Sequence, residues 1–384
     1  MVNLLINFQK GDARPTWVEI NTANIASNLK YIKSLLPQET QLMAVVKANA
    51  YGHGAVECAM VALENGASYL GVSIMEEGIE LRKAGITAPI LILGHIFPWN
   101  AEQAVKFDLT CMIATFELAE SLSNAAISLG KKAKVHIKID TGMGRIGLSI
   151  DESLDFVRKV SKFSAIELEG VCSHLGTVNN DMNFALEQIE KFEKLMSKLE
   201  KNGYFIPIRH IANSAAAITI PSASMNMVRI GMAMYGLSYT GVNVSGPELK
   251  PALAFKTCVE YVKEVQKGTF IGYDASYVSE REQIITLPVG YADGYPRLLS
   301  NKGKVLINGK EFNIVGKVCM DQMMVSVPIG VKVSIGDEVV LIGTQRDKKI
   351  CAEDLALSVG TISYEIICRI TSRVPRVYIN EFTV

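Results

Sequence analysis

Between residues 42 and about 236, short apolar runs rich in β-branched residues alternate with amphipathic stretches. Eight of the runs have the length and composition of buried parallel strands: residues 42–48, 69–73, 90–94, 109–114, 134–140, 166–173, 208–213 and 227–232. The clearest helix-like stretches between them are residues 54–65, 75–84, 117–129 and 184–202. Repeated strand–helix units are typical of the α/β class, and eight of them within about two hundred residues predict a (β/α)8 barrel.

The pattern changes near the segment PELKP, which ends at Pro251. Beyond it, short strand-like runs are separated by turns, and Asn308-Gly309 between apolar residues is a hairpin signal. We therefore predict a barrel domain at residues 12–248 and a C-terminal all-β domain at residues 249–384. Residues 1–20 fit either domain, and their packing against the β domain stays open.

The composition excludes several classes of protein. The 39 basic and 39 acidic residues cancel, so no basic surface is expected for nucleic acid or for an acidic membrane. Seven cysteines without a C-x-x-C pair argue against a disulfide framework and a zinc ribbon, and no metal site is predicted. Reduced thiols, together with the absence of a signal peptide and of a bilayer-spanning apolar run, favour a soluble cytoplasmic enzyme.

A barrel of this kind carries its chemistry at the carboxyl ends of its strands, with phosphate near the seventh and eighth. Six candidates for this chemistry lie within or just after the predicted strands: Lys47, Arg145, His174, Ser214, Arg229 and Gly231. The Ser214 hydroxyl, the Gly231 amide and a nearby helix start would form a phosphate site. Taken singly, His174 could be a core histidine bonded to the backbone and Ser214 a helix cap. Their common placement favours a shared site.

Lys47 follows an apolar run and precedes the small, polar stretch ANAYGHG. An amine at the exit of a strand, beside a phenol and a flexible glycine turn, is well placed to form a Schiff base with an aldehyde. A lysine that only faces solvent at the end of a strand is the alternative. This segment alone does not distinguish the two.

Motifs along nearly the whole chain resemble one family. AVVKANAYGHG around Lys47 is similar to the pyridoxal-phosphate signature of the alanine racemases. The similarity continues in order through KIDTGMGRIG (138–147), HLGTV (174–178), HIANSAA (210–216), MVRIGMAMYG (227–236), PVGYADGYPR (288–297), VCMDQMMV (318–325) and GTISYEIICRI (360–370). The resemblance implies a pyridoxal 5'-phosphate-dependent isomerase that interconverts L- and D-alanine and supplies D-alanine for peptidoglycan. It also implies a homodimer with shared active sites.

The resemblance further implies a two-base reaction. Loss of the α-proton leaves a carbanion that pyridoxal phosphate can delocalise, and racemisation needs a base on each face. Lys47 matches the lysine that binds the cofactor and serves one face, and Tyr273 matches the tyrosine of the partner subunit that serves the other. Because a phenol normally titrates near pH ~10, His174 and a nearby arginine are expected to stabilise its phenolate. The motif here is YDASY where the family often has YGATY; Tyr277 is a less favoured substitute, and Tyr273 as a simple turn residue is the alternative.

Other matches concern the cofactor. Arg229 matches the arginine that donates a hydrogen bond to the pyridine nitrogen, which discourages transamination; an arginine paired with an acid is the alternative. His210 matches the histidine that orients this arginine, although it could be a plain core histidine. The residues matched to the phosphate are Tyr51, Ser214, Tyr364 and the amides of Gly231 and Met232.

The substrate matches are Arg145 and the amide of Met320, with Asp321 and Tyr291 beside them. Lys138 shares a strand face with His136 and Asp140 by the period of two, so it needs a partner inside the barrel. The family often carbamylates this lysine, which would let it position Arg145. An unmodified lysine paired with an acid is the alternative.

Other functions remain open from the sequence: a related racemase of serine or of a larger amino acid, and a non-catalytic carrier of pyridoxal phosphate. A carrier needs no second domain supplying Tyr273, Met320 and Tyr364, so an enzyme is favoured. A decarboxylase on the same fold fits less well, because Tyr273 and Arg229 match the racemases. The size of the substrate pocket cannot be read from a sequence.

Overall fold

A computed structural model describes residues 14–237 and 249–380 of the chain. The described residues fall into two compact units. One contains residues 25–50 and 54–250; the other contains the described residues up to Asn24, including strand β1 (Thr16–Asn21), residues 51–53, and those from Pro251 onward. The predicted boundary at residue 248 and the first thirteen residues of the 1–20 segment lie outside the described residues.

In the described part of the first unit, eight parallel strands form one sheet: β2 (Gln41–Val45), β3 (Tyr69–Val72), β4 (Ile90–Ile92), β5 (Thr110–Ile113), β6 (Ala133–Lys138), β7 (Ile166–Cys172), β8 (Ile208–His210) and β9 (Met227–Ile230). They are hydrogen-bonded in the order β8-β7-β6-β5-β4-β3-β2-β9. The two end strands, β8 and β9, also approach each other: the amide of Arg229 in β9 donates to the carbonyl of Ala212, just after β8, at 3.1 Å. The barrel is therefore nearly closed. The predicted barrel is confirmed.

The helix α1 (Thr22–Leu35) precedes β2, and the left-handed segment α2 (Lys47–Tyr51) follows it. The helices between the strands are α3 (Ala55–Glu64), α4 (Met75–Lys83), α5 (Ala101–Lys106), α6 (Phe116–Ser128), α7 (Ile150–Val160), α8 (Met182–Lys201) and α9 (Ser214–Thr219). In α8 the buried residues Ile189, Phe192, Met196 and Leu199 recur at spacings of three and four, the pattern of a helix that packs on one side. None of the described helices is long and apolar enough to cross a membrane.

The interior of the barrel is a packed cluster of side chains. Its members come from seven different strands: Met43, Tyr69, Leu91, Met112, Cys172, Ile208 and Met227. Full burial of a side chain of this size contributes about 1.5–3 kcal/mol, so the cluster stabilises the closed sheet. Several strands end earlier than predicted, β2 at Val45 and β8 at His210, because the following residues leave the ladder and form the loops that carry the polar side chains.

The second unit is built on β-sheet. In sequence its elements after Pro251 are β10 (Leu253–Cys258), β11 (Tyr261–Val265), β12 (Phe270–Ile271), β13 (Tyr277–Val278), β14 (Glu282–Leu287), β15 (Lys304–Ile307), β16 (Lys310–Val315), β17 (Met323–Val327), β18 (Glu338–Gln345), β19 (Lys348–Ile350), the helices α10 (Ala352–Val359) and α11 (Ser363–Cys368), and β20 (Arg376–Ile379). Among the described residues the main sheet has ten strands, with β1 between antiparallel β10 and parallel β20. Asn308 (φ 54°) and Gly309 (φ 77°) join β15 to β16, which confirms the predicted hairpin.

Candidate active site

Lys47 lies just beyond β2, at the start of a left-handed turn. Ala48 (φ 52°, ψ 50°), Asn49 (φ 52°, ψ 49°) and Ala50 (φ 53°, ψ 48°) follow it, and Tyr51 has a φ of 53°. Left-handed backbone costs about 1–2 kcal/mol per L-residue, so surrounding contacts must hold this turn. The sequence predicted a strand as far as residue 48. That prediction is wrong for its last residues, because a left-handed backbone cannot continue the sheet.

Glu77, in the first turn of α4, supports the turn after Lys47. Its Oε1 accepts a hydrogen bond from the Ala48 amide at 2.6 Å, and its Oε2 accepts one from the Ser73 amide at 2.7 Å. The side chain of Asn49 accepts a bond from the Ala55 amide at 2.8 Å. Glu77 could not be predicted from the sequence, because a glutamate at the start of a helix carries no sign that it reaches a second loop.

Arg229 is buried in β9, with 6% of its surface exposed. Its Nη1 donates to Nδ1 and the carbonyl of His210 at 2.7 and 3.2 Å. Its Nη2 donates to the carbonyls of Ser173 and Ile211 at 2.9 and 3.0 Å, and lies 3.1 Å from Nδ1 of His174. No residue that the structure describes accepts a hydrogen bond from its Nε. The guanidinium is therefore fixed in place with one donor still available.

Both histidines beside Arg229 are neutral. Burial, reinforced by the charge of Arg229, lowers the pKa of His174 to about 3 and holds the pKa of His210 well below its usual value. Arginine can only donate, so Nδ1 of each ring accepts and Nε2 of each carries the hydrogen. His174 therefore has an Nε2–H group available as a donor.

Ser214 and Gly231 meet beyond the ends of β8 and β9. The Gly231 amide donates to Oγ of Ser214 at 2.9 Å, and Met232 follows at the start of a 3-10 turn. The cap of α9 is Asn213, whose side chain accepts from the Ala216 amide at 3.1 Å. Because Asn213 caps the helix, the Ser214 hydroxyl is not needed for that purpose.

Lys138 and Asp140 lie at the end of β6. Lys138 Nζ donates to the carbonyl of Ile139 at 3.0 Å, and burial lowers the pKa of Lys138 to about 8. The Asp140 carboxylate accepts from the amides of Gly142 and Gly144 at 2.9 and 3.1 Å, and so fixes the loop that presents Arg145. Arg145 is exposed and forms no ion pair with the described residues.

In the second unit, Tyr273 lies on a 3-10 turn after β12 and is 68% exposed. Asp274 within this turn has a φ of 61°, in the left-handed region that favours glycine and that aspartate tolerates better than most residues. This explains how an aspartate can stand where the resembling motif often has glycine. The Tyr277 hydroxyl is bound to the Glu282 carboxylate at 2.8 Å.

Met320, Asp321 and Tyr291 come together in two adjoining turns of the same unit. The amide of Ala292 donates to the Met320 carbonyl at 3.0 Å, and the amide of Tyr291 donates to the Cys319 carbonyl at 3.0 Å. Gly290 is required here, because a Cβ at this position would lie 2.3 Å from the Cys319 oxygen. Asp321 Oδ1 pairs with Arg373 at 2.7 Å, while Met320 is 53% and Tyr291 is 40% exposed.

Tyr51 and Tyr364, two residues that the sequence matched to a phosphate, meet edge to face with their ring centroids 6.1 Å apart. The Tyr51 ring is buried. These two phenols lie in the second unit, whereas Ser214 and Gly231 lie in the first.

Models of two protein families match the chain: "Alanine racemase, N-terminal domain" at residues 20–239 and "Alanine racemase, C-terminal domain" at residues 252–378. The chain belongs to the alanine racemase family. Members of this family are pyridoxal-phosphate-dependent isomerases that interconvert L- and D-alanine.

Three relatives show how far the similarity to the alanine racemases extends. An alanine racemase of Halothermothrix orenii is 45% identical over 370 residues, 96% of this chain and 98% of the relative. A solved alanine racemase of Clostridium difficile 630 is 40% identical with a TM-score of 0.92, and 96% of this chain and 97% of that chain are covered. A histidine racemase of Leuconostoc mesenteroides is 29% identical with a TM-score of 0.88, covering 96% and 98%.

The residues present fit the family's cofactor. The buried guanidinium of Arg229 has an Nε–H group to which no described residue offers an acceptor, and a pyridine nitrogen is such an acceptor. Ser214 and the start of the turn at Met232 offer a hydroxyl and backbone amides of the kind that bind a phosphate.

Proposed function

We propose that this chain racemises alanine with Lys47 and Tyr273 as its two bases. The observation that carries the proposal is Arg229, a buried guanidinium with fixed contacts and one donor directed to no described residue. A racemase needs such a donor, because it must return the proton to the α-carbon and to no other position.

Lys47 would hold the cofactor covalently, and Arg229 would donate to its ring nitrogen. The phosphate would be held by Tyr51, Ser214, Tyr364 and the amides of Gly231 and Met232. The contact of Ser214 with Gly231 supports this assignment within the first unit, and the contact of Tyr51 with Tyr364 supports it within the second. Pyridoxal phosphate, when bound, withdraws the electrons left on the α-carbon after proton loss.

The Lys47 amine would remove or return the α-proton on one face of the substrate, and the Tyr273 phenol would do so on the other. A phenolate needs a hydrogen-bond donor that is not itself a strong acid. His174 is suited to this role, because it is neutral and its Nε2 carries a hydrogen. Because one base removes the α-proton on one face and the other returns a proton on the opposite face, both faces of the substrate must be covered by the protein.

Arg145 and the Met320 amide would bind the substrate carboxylate, with Asp321 and Tyr291 beside them. The loop of Arg145 is held by Asp140, which supports a fixed position for the guanidinium. We further propose that Lys138 is carbamylated. Because its pKa is lowered to about 8, much of the amine is in the neutral form that reacts with carbon dioxide at mildly alkaline pH.

We propose a head-to-tail homodimer in which Tyr273 and Met320 of one subunit complete the site around Lys47 of the other. Tyr273 is 68% and Met320 is 53% exposed in the single chain, which supports the idea that both residues face a partner. We also propose a cytoplasmic location and a role in supplying D-alanine for peptidoglycan. The seven cysteines, which include no C-x-x-C pair, fit a reducing compartment.

Replacing Arg229 with glutamate should divert the reaction. A carboxylate at position 229 would accept a hydrogen bond from a protonated ring nitrogen instead of donating one, and would thereby strengthen electron withdrawal. We expect racemisation to fall by about 10²-fold or more, as for removal of a preorganised donor, while pyruvate formation per racemisation event rises. Arg229→Lys keeps the charge without the planar fork, so its racemisation rate should lie between those of the wild type and Arg229→Glu. Unchanged partition between racemisation and pyruvate formation in Arg229→Glu would exclude this role.

Alanine should be the preferred substrate. We expect kcat/KM for L-alanine to exceed that for serine by about tenfold or more, since one added group in a fitted pocket has an effect of this size. Lysine and histidine complete the comparison, because a histidine racemase shares the fold. A higher kcat/KM for serine, lysine or histidine than for alanine would overturn the substrate assignment while leaving the racemase chemistry intact.

A further inference from the structure

A continuous hydrogen-bonded chain runs through the barrel from Arg229 to the opposite end of the sheet. Arg229 Nη1 lies 2.7 Å from Nδ1 of His210, and Nε2 of His210 lies 2.8 Å from Nδ1 of His136. Nε2 of His136 lies 3.2 Å from Oε2 of Glu169. We call these four residues the Arg229–Glu169 chain. Both histidines in it are fully buried.

The two ends of this chain determine where every proton lies. A carboxylate only accepts, so Nε2 of His136 must carry a hydrogen and Nδ1 of His136 must accept. Nε2 of His210 then donates to that Nδ1. The remaining Nδ1 of His210 accepts from Arg229, which can only donate. With both rings neutral, a single arrangement of protons satisfies all three links.

The charges of the groups agree with this arrangement. Burial lowers the pKa of His136 and that of His210, so both rings remain neutral. Burial acts to raise the pKa of Glu169, but hydrogen bonds from His136 and from Tyr69 outweigh it and lower that pKa to about 2. Lys134 Nζ also donates to Glu169, at 3.1 Å. The chain therefore ends on a carboxylate that stays ionised.

Two irregularities of the fold create the contact between His136 and Glu169. In the ladder between β6 and β7, Val135 pairs with Leu168 but His136 pairs with Gly170, so Glu169 is an extra residue in β7. Such a bulge re-aims a side chain. Gly170 then leaves room for the imidazole, because a Cβ there would lie 2.6 Å from Nδ1 of His136. Glu167, two residues earlier on β7, is exposed and is not part of the Arg229–Glu169 chain.

We propose that His136 and Glu169 are positioning residues that hold His210 in its Nε2–H form, so that Arg229 is oriented from the far end of the barrel. The proposal rests on the role proposed above for Arg229. Without the acceptor at Glu169, His136 can take its other tautomer and offer Nδ1–H to His210. Two donors would then face each other, and His210 could no longer serve as a dedicated acceptor for Arg229.

The tautomers can be measured directly in the holoenzyme. The whole protein contains five histidines, so ¹⁵N-histidine labelling gives a spectrum of five rings. We expect His136 and His210, assigned by His136→Phe and His210→Asn, to be neutral with hydrogen on Nε2 at pH 8. In Glu169→Leu, His210 should move toward the Nδ1–H form. An Nδ1–H or charged ring at either position in the wild type would overturn the proposal, as would an unchanged His210 in Glu169→Leu.

Kinetics test whether the tautomers affect the reaction. Loss of a hydrogen bond to a charged group corresponds to about tenfold in rate, so kcat of Glu169→Leu should fall about tenfold with KM nearly unchanged. Glu169→Gln keeps an acceptor oxygen and should recover most of kcat. Glu167→Leu, two residues earlier on β7, is the matched control and should behave as wild type. Equal loss in Glu169→Gln and Glu169→Leu, or none in either, would contradict a positioning role.

Gly170→Ala gives an independent test if Glu169→Leu folds poorly. It changes no member of the Arg229–Glu169 chain but forces the His136 ring away. It should lower kcat and shift the His210 signal in the same way as Glu169→Leu, and normal kcat with a displaced His136 signal would refute the proposal. If the wild-type protein did not racemise alanine, the labelled histidines would still show whether His136 and His210 carry hydrogen on Nε2. The two hypotheses can therefore fail separately.

Discussion

Lys47→Ala protein should fold and lose nearly all racemase activity, by about 10⁴-fold or more, the upper range for loss of a positioned acid–base group that also binds the cofactor. If Lys47 has the proposed roles, the substitution removes the base of one face and the covalent anchor together. Ala48 to Tyr51 already contain left-handed residues held by Glu77, so truncation of the Lys47 side chain leaves the backbone contacts of the turn in place.

The absorption spectrum shows whether the covalent link to the cofactor is lost, and the thermal melt shows whether Lys47→Ala is still folded. The wild type should be yellow and lose its visible band on treatment with borohydride, whereas Lys47→Ala should bind the cofactor without a reducible link. Lys83→Ala, at the exposed end of α4, is a matched control that should retain colour and activity. A colourless and inactive wild type, even with added pyridoxal phosphate, would refute the proposed function.

Tyr273→Phe should impair proton exchange mainly from one enantiomer of alanine. If Lys47 and Tyr273 serve opposite faces, removal of the phenol blocks the face that Tyr273 serves by about 10²–10⁴-fold, while Lys47 still exchanges the proton on its own face. Solvent deuterium uptake into D- and L-alanine measures the two separately. Tyr261→Phe, an exposed tyrosine of β11, is the control. Equal and mild losses in both directions would mean that Tyr273 is not a base.

Mixing the two inactive variants tests the shared site. In a dimer of one Lys47→Ala chain and one Tyr273→Phe chain, one composite site carries both lesions and the other is intact. Random exchange makes about half of the dimers mixed, so roughly a quarter of wild-type activity should return under two-fold symmetry. If both bases came from one chain, every site would carry a lesion and no activity would return. Proven subunit exchange without recovery would therefore exclude the shared site.

The sequence was sufficient for the barrel because its strands are short and mostly apolar, and because turns and helices separate them regularly. Arg229 and His210 were matched by resemblance to the family, and the structure shows both buried on short strands. The turn after Lys47 could not be predicted in this way. Alanine gives no sequence signal for a left-handed backbone, a single asparagine gives a weak one, and the support from Glu77 is a tertiary contact.

Glu169 shows a second limit of the sequence. The period of two places Glu167 and Glu169 on the same face of β7, and only the bulge separates them. A bulge depends on the register of a neighbouring strand, which is a long-range property. His136 was correctly placed on the same strand face as Lys138, but its link to Glu169 could be seen only in three dimensions.

The left-handed turn also has a consequence for when this protein can take up its cofactor. Four residues at about 1–2 kcal/mol each amount to a conformational cost close to the whole stability of a typical domain. An unfolded or partly translated chain cannot maintain such a turn. The carboxylate of Glu77 is available to it only after α4 has packed beside β3. If Lys47 binds the aldehyde as proposed, its backbone has the required geometry only in a chain in which β3 and α4 have packed together, and a nascent chain does not present that geometry.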